Sequence, residues 1–387
     1  MKLGVPKEPE GEPRVGIVPS SLRRLTRAGF EVHVERGAGL SANHPDSAYK
    51  DAGAKIVDRA EVRRCDTLAA VRFPGVEDLA PDASLVCMAD PFRHPDRLSA
   101  CLERGITLLS MDLIPRRLSR AQSMDVNSSQ DNLAGYAAAL MGMAHASRAI
   151  PMMTTSAGTV RPGRVVVMGS GVAGLQAIST SRRMGAVVFA SDVRRSAAEQ
   201  IESVGGTFID VEGMDDFEDA SGYARPLTPE FVQKVNRVVC EVASEAEVVI
   251  TTARTFGRPA PTTISASAVA GFKAGAVVVD LNADVGGNCE LTVPDEVVRV
   301  GAGVSVIGPT NLPGTVAGTA SLLYSNNLTA FLTSLVEDGS LALREDDDVL
   351  VGSPEGDDLH VEGMGGVLVC RAGAVHPAHS RLSGMDR

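Results

Sequence analysis

Three glycines spaced as Gly169-Ser170-Gly171-Val172-Ala173-Gly174 lie between an apolar run, Arg164-Val165-Val166-Val167-Met168, and a stretch from Ala173 to Met184 that reads as a helix. A second apolar run, 186–190, ends near Asp192, 18 residues beyond Gly174. Alone, G-x-G-x-x-G is a weak signal, because glycine is common in turns. Strand, glycine turn, helix, strand and acid in this order make the fingerprint of a dinucleotide site. Gly169 permits the tight turn, Gly171 lacks the Cβ that would hold a pyrophosphate off the backbone, and Gly174 lets helix and strand pack closely. Val172 and Ala173 lie at the start of the helix, whose free N–H groups and partial positive charge attract phosphate, and are counted in the cofactor-binding set. Asp192 stands where a carboxylate can accept hydrogen bonds from both ribose hydroxyls and repel a 2′-phosphate, which favours NAD(H) over NADP(H). Val193 and Arg194 follow it and are counted with it in the cofactor-binding set. Arg194 and Arg195 pull the other way, since guanidinium groups there could hold a 2′-phosphate. The place of Asp192 at the strand end weighs more heavily.

The elements that must position these residues read as α/β. Apolar runs at 3–6, 31–35, 55–57, 67–71, 85–88 and 106–111 are expected to be strands, with helices near 20–28, 46–52 and 95–103 between some of them. The connections are too long for hairpins and suit crossovers, so a parallel sheet is expected. Residues 115–130 break the rhythm: they are polar and without a clear period, and could be either a functional loop or a solvated linker. A helix over about 132–148 leads into a second α/β unit with strands at 165–168, 187–190, 207–209, 248–251, 277–281 and 304–307. Residues 211–230 look like a mobile loop. Another helix spans about 320–335, and the tail carries Val367-Leu368-Val369-Cys370, an edge strand or small satellite element. The fold expected is therefore α/β with two Rossmann-like domains and parallel sheets. The first contains residues 1–130 plus 320–387 and the second 131–319. The long helices link them and a cleft lies between.

Composition narrows the function. The chain has 387 residues, 44% of them hydrophobic but only 4% aromatic, so its cores must be aliphatic. A formal net charge of −11 repels phosphate backbones and argues against nucleic acid and against binding an anionic membrane by charge. The six cysteines form no C-x-x-C pair and read as buried, reduced thiols of a cytosolic protein; no metal site is expected. The sequence opens directly on a strand pattern, with no secretory signal, and no run reaches the ~18 unbroken apolar residues of a membrane span.

Further along, Ser119-Arg120-Ala121-Gln122-Ser123-Met124-Asp125, Ser128-Ser129-Gln130 and Asn132-Leu133-Ala134-Gly135-Tyr136 closely resemble the signature of the NAD(H)-binding component of proton-translocating transhydrogenases. Pro6-Lys7-Glu8, Gly37-Ala38-Gly39, Ala157-Gly158-Thr159-Val160, Gly171-Val172-Ala173-Gly174-Leu175-Gln176-Ala177, Gly222-Tyr223-Ala224, Gly286-Gly287-Asn288-Cys289 and Thr310-Asn311-Leu312-Pro313 extend the likeness nearly end to end, in order. The resemblance implies that NADH on this chain passes hydride directly to NADP⁺ on a separate NADP(H)-binding beta subunit, and that a membrane-spanning subunit couples transfer to proton movement. It implies a homodimer on the cytoplasmic face of the inner membrane, held there by its partners. By position, Arg117 and Asp125 would hold the nicotinamide carboxamide and ribose region and Ser128 would support them. Gln122 would reach toward the partner's NADP(H), and Tyr223 would close over bound nucleotide. Three stretches depart from the family pattern. Arg254 replaces an aliphatic residue near the expected cofactor wall, Asn282 (counted with the cofactor-binding residues) stands where alanine is usual, and Ala70-Val71-Arg72 replaces Lys-Val in the first domain.

The related alanine dehydrogenases are the enzyme rival. They need a lysine where Arg72 stands and a histidine in the stretch 85–90, which has none; His94 comes too late. Arg14 and Asp284 match that family's substrate arginine and catalytic aspartate, but without the lysine and histidine they leave amino-acid chemistry improbable. A non-catalytic NAD(H)-sensing module would keep the glycines and Asp192 without needing Gln122, so the whole polar loop disfavours it.

Overall fold

The computed structural model describes residues 1–116, 118–213, 228–254, 259–352 and 365–382. It divides into two units, residues 1–130 with 314–387 and residues 131–313. The long helix Val126–His145 begins in the first and continues into the second.

The sheet of the first unit runs, from edge to edge, Lys55–Val57, Glu31–Glu35, Lys2–Val5, Thr67–Arg72, Ser84–Met88, Thr107–Ser110, Leu368–Arg371, Ala374–Val375. The first six are parallel and in chain order 3-2-1-4-5-6, the doubly wound arrangement; the last two are added antiparallel. Their side chains are buried on both faces: Leu68, Ala69, Ala70 and Val71 are wholly buried, which is why parallel strands read as unbroken apolar runs. The helix Ala317–Ser334 rejoins this unit through polar side chains as well as apolar ones. The Tyr324 hydroxyl donates to the Ala70 carbonyl at 2.8 Å, and the Ser321 and Ser325 hydroxyls accept from the Val15 and Val18 amides at 3.0 Å. The late segment thus satisfies backbone groups of the N-terminal one, and the unit is discontinuous in sequence.

The second sheet runs Thr207–Phe208, Val187–Ser191, Arg164–Met168, Val248–Thr251, Val277–Asp280, Val304–Ile307, Val297–Val300. It repeats the order 3-2-1-4-5-6 in six parallel strands and closes with one antiparallel edge. Val165, Val166 and Val167 are fully buried at its centre; each contributes roughly 1.5–3 kcal/mol by burial. Two Rossmann-like domains with large parallel sheets are therefore present, as expected. No described helix is long and apolar enough to cross a membrane.

Four local expectations are corrected. Residues 115–130 are not a structureless stretch: Ser119–Met124 is a 3-10 helix and the long helix starts at Val126, not near residue 132. The early start follows from capping, since the Asp125 carboxylate accepts from the Ser128 amide at 2.8 Å. The tail strand Leu368–Arg371 is not an edge, because Ala374–Val375 pairs outside it. A hairpin of Met153–Thr155 and Gly158–Val160 and the edge strand Val297–Val300 have no counterpart in the expected element order. The hairpin is exposed throughout, and Val297–Val300 is a short edge strand that turns only Val298 and Val300 to the core.

Candidate nucleotide site

In a doubly wound sheet, ligands bind outside the carboxyl ends of the strands where the chain order reverses. In the second unit that point lies between Arg164–Met168 and Val248–Thr251, and the fingerprint turn leaves the first of these. Gly169 has φ +102°, a backbone shape that side chains rarely tolerate, and a Cβ there would meet the Thr252 hydroxyl at 2.5 Å. A Cβ on Gly174 would run into the Gly169 carbonyl oxygen. At Gly171 a Cβ would find nothing within 4 Å. The helix Val172–Arg183 starts immediately after Gly171 with no side chain capping it, so its first amides point into that open space. This is an anion cradle of the kind that binds pyrophosphate. Thr252 locks the turn by donating to the Met168 and Gly169 carbonyls at 3.3 and 3.1 Å.

Asp192 follows the neighbouring strand Val187–Ser191 and is 9% exposed. Its Oδ2 accepts from the Ser170 amide at 2.9 Å and the Ser170 hydroxyl at 2.7 Å. Its Oδ1 accepts from the Arg194 amide at 3.0 Å and Arg194 Nε at 2.9 Å. Burial would raise its pKa, but the hydrogen bond and charge of Arg194 outweigh that and hold the carboxyl below the ordinary range. Ser170 is absent from the residues expected at the site, although a hydroxyl between the first two glycines is the one signal that points to it. Val193 is 48% exposed beside this cluster.

The far wall is set by a buried polar network. Asp280, wholly buried, accepts from the amides of Asn282, Asn288 and Cys289 and from the Thr292 hydroxyl, at 2.6–3.0 Å. Asn282, 3% exposed, donates its amide to the Ala253 carbonyl at 3.0 Å and to Asn288 Oδ1 at 2.7 Å, and Asn288 donates to Ala253 and Pro261 carbonyls at 2.8 and 2.7 Å. Asn282 therefore fixes the loop after Val248–Thr251. Arg254 on that loop is exposed.

The residues of the polar loop lie in the first unit. Asp125 and Ser128 come together: the Ser128 hydroxyl donates to Asp125 Oδ2 at 2.6 Å. The guanidinium that joins them is Arg116, with Nε 3.2 Å from Asp125 and Nη2 2.8 Å from Ser128. The sequence offers Arg116 only as a neighbour of Arg117; Arg117 and Tyr223 lie outside the described residues. Gln122 is exposed on Ser119–Met124. That segment is tied down by the Asn327 amide donating to the Ser123 carbonyl at 2.9 Å, and by Arg120 pairing with Asp347 and Asp348.

In the first unit the switch point carries no glycine cradle. Glu8 accepts from the Val71 and Arg72 amides at 2.7 and 3.0 Å, and burial pushes it up to about 8. The Arg14 guanidinium, 2% exposed, is taken up by Glu12 at 2.7 Å and Gln130 at 2.8 Å, and Arg72 also reaches Glu12 at 3.1 Å. Arg14, which matches the substrate arginine of alanine dehydrogenases, and Arg72, which stands in place of their lysine, thus both hold the carboxylate of Glu12. A nearby cavity of about 650 Å³ is lined by Lys7, Glu8, Glu10 and Glu12 among others.

Comparison with known proteins gives the family and the fold. The family described as alanine dehydrogenase/PNT matches over residues 4–134 (N-terminal domain) and 138–354 (C-terminal domain). The chain is 43% identical to an NAD(P) transhydrogenase subunit alpha chain of Rhodospirillum rubrum, over 98% of each chain. The solved structure of transhydrogenase from Sinorhizobium meliloti superimposes with a TM-score of 0.85 at 38% identity, covering 97% of this chain and 100% of that one. An L-alanine dehydrogenase structure shares the fold, with a TM-score of 0.77 at 24% identity over 100% of this chain and 99% of that one. By its family models and by its identity to these relatives, the chain belongs to the alanine dehydrogenase/PNT family, among the NAD(P) transhydrogenase alpha subunits.

Proposed function

We propose that this chain is the NAD(H)-binding component of a proton-translocating transhydrogenase. In this reading hydride passes between NAD(H) on the second unit and NADP(H) on a beta subunit, and a membrane-spanning subunit couples that transfer to proton movement. The observation that carries it is the fingerprint turn at the strand-order reversal, with Asp192 buried beside it. The residues present fit a dinucleotide. The amides that open Val172–Arg183 and the bare Gly171 suit the pyrophosphate, and Asp192, with Val193 and Arg194 next to it, suits the adenosine ribose. When bound, the nicotinamide supplies the hydride. The protein's own work is placement and exclusion of water, which is where proximity gains its rate. Asp125, Ser128, Gln122, Arg117 and Tyr223 are assigned to the nicotinamide end. Asn282 serves the site by holding the Ala253 loop. No general acid or base is required of this chain, because the transfer is ring to ring.

The partner assignments belong to the same reading. The name "subunit alpha" carried by the relative supports a multi-subunit assembly, with this chain on the cytoplasmic membrane face through its partners. A homodimer is supported by the hairpin Met153–Thr155/Gly158–Val160. It stands alone as a two-stranded sheet, with Met152, Met153 and Val160 65%, 43% and 37% exposed. An isolated hairpin is at best marginal in water, so a second copy is the natural cover.

The test is a two-protein assay. The chain is mixed with the NADP(H)-binding component of a related transhydrogenase, NADPH and an NAD⁺ analogue of shifted absorbance. Reduction of the analogue that requires both proteins is expected; reduction by either alone, or none while NADPH remains bound to the partner, contradicts the reading.

A further inference from the structure

Asn288 is wholly buried, and both polar atoms of its carboxamide are used. Its Oδ1 accepts from Asn282 Nδ2 at 2.7 Å, which fixes the orientation of the amide. The Nδ2 group donates twice, to the Ala253 carbonyl at 2.8 Å and to the Pro261 carbonyl at 2.7 Å. These two carbonyls flank residues 254–260, which follow the carboxyl end of the strand Val248–Thr251. One side chain thus ties the two ends of that segment together. Asn288 is itself held by Asp280, which accepts from the Asn288 and Cys289 amides at 2.6 and 2.9 Å. A second tie secures the returning end, where the Ala260 amide donates to the Val285 carbonyl at 2.8 Å. The departing end abuts the fingerprint turn: a Cβ on Gly169 would lie 3.3 Å from the Ala253 amide nitrogen. The Ala253 carbonyl is turned to Asn282 and Asn288, so across the planar trans peptide the Arg254 N–H points away from that buried network.

We infer that Asn288 is a positioning residue for hydride transfer, which fixes the backbone on the nicotinamide side of the nucleotide site by tying Ala253 to Pro261. The inference rests on the reading of the second unit as an NAD(H) site. In that reading the pyrophosphate lies at the start of Val172–Arg183. The adenosine ribose lies at Asp192, after the strand Val187–Ser191 on one side of Arg164–Met168. The nicotinamide half then runs to the other side, over the carboxyl end of Val248–Thr251, where the segment tied by Asn288 begins. Both lone pairs of the Ala253 carbonyl are taken by the two asparagines, so this wall presents the Arg254 N–H instead, at a place that Asn288 sets. Hydride transfer needs the two rings at near-attack distance. Loosening the tie therefore appears in the rate and not in the hold on the adenosine half. A serine or threonine hydroxyl has a single hydrogen to donate and can serve one of the two carbonyls, not both.

N288S is compared with the wild type in two measurements, with circular dichroism to confirm folding. One is calorimetric binding of ADP-ribose, which carries the adenosine and pyrophosphate but no nicotinamide. The other is hydride transfer in the two-protein assay at saturating NAD⁺ analogue. S265A, which removes the side-chain cap of Ala266–Ala270 in the same unit, is the control for lost stability alone. N288S should bind ADP-ribose within about twofold of the wild type and transfer hydride at least about tenfold more slowly, the weight of one hydrogen bond felt in the transition state. S265A should lower the unfolding midpoint and leave both readouts unchanged. N288S that transfers hydride at the wild-type rate, or that loses ADP-ribose binding and transfer in equal measure, overturns the inference and leaves the nucleotide reading standing. S265A that slows transfer as much as N288S does so too. Wild type that binds neither ADP-ribose nor NADH overturns the nucleotide reading and this inference with it. Wild type that binds both but transfers no hydride overturns the transhydrogenase reading, and the inference again falls with it. If N288S does not fold, N288T takes its place with the same expectations; failure of both to fold makes Asn288 a residue of the fold alone and overturns the inference.

Discussion

The three glycines of the fingerprint turn serve different ends, and two can be separated by substitution. A Cβ at Gly174 strikes the Gly169 carbonyl, so G174A should cost on the order of 3 kcal/mol of stability, seen as a lower midpoint in urea. A Cβ at Gly171 strikes nothing among the described residues. G171A should therefore unfold at a nearly unchanged midpoint while NADH affinity falls roughly tenfold, about 1.4 kcal/mol, because the methyl occupies the space assigned to phosphate. Equal midpoints for both variants, or unchanged NADH affinity in G171A, would contradict these roles. At this scale the glycines and Asp192 are legible in the sequence because each answers a backbone or charge requirement fixed by spacing along the chain. Ser170, Arg116 and Asn288 are not. Each acts through a partner distant in sequence or through a local geometry that spacing does not reveal, as Arg116 does through Asp125 and Ser128.

At the scale of elements, the central strands are legible almost to the residue because both of their faces are covered and their sequences are continuous in valine, leucine and alanine. Elements stabilised in other ways are not. The first turns of Val126–His145 are held by polar side chains reaching distant partners: Asn127 to the Asp112 carbonyl at 2.8 Å, and Gln130 to Arg14 and the Ala320 carbonyl. A polar helix start leaves no apolar period to detect. The hairpin is hidden for the opposite reason, since its residues are exposed and no core-facing pattern marks it. It is also the element whose removal is most informative. Its base is closed by the Gly163 amide donating to the Ile150 carbonyl at 2.8 Å, so a short glycine linker in place of residues 152–160 should leave the sheet beyond it intact. Sedimentation should then give a dimer for the wild type and a monomer for the deletion. A deletion variant that still sediments as a dimer would place the dimer contact elsewhere.

On the scale of the whole molecule, the same doubly wound sheet occurs twice, but only one copy bears a nucleotide fingerprint. The first sheet instead follows its leading strand with Pro6-Lys7-Glu8-Pro9-Glu10-Gly11-Glu12, where Glu12 holds Arg14 and Arg72. That division is legible from the alternation of strands and helices and from the single G-x-G-x-x-G fingerprint. The discontinuity of the first unit is legible in outline, through the late helix, but not the serine and tyrosine bonds that return it to Val15, Val18 and Ala70. The central claim is that this chain gives or receives hydride only ring to ring, with NADP(H) held by another protein. The most direct measurement uses NADH with deuterium at both C4 positions, NADP⁺, this chain and the NADP(H)-binding partner, and follows the label by mass spectrometry. The expected product is NADPH carrying one deuterium at C4, with none lost to water and no product when either protein is omitted. Deuterium appearing in the solvent, or NADPH formed by this chain alone, would contradict the claim.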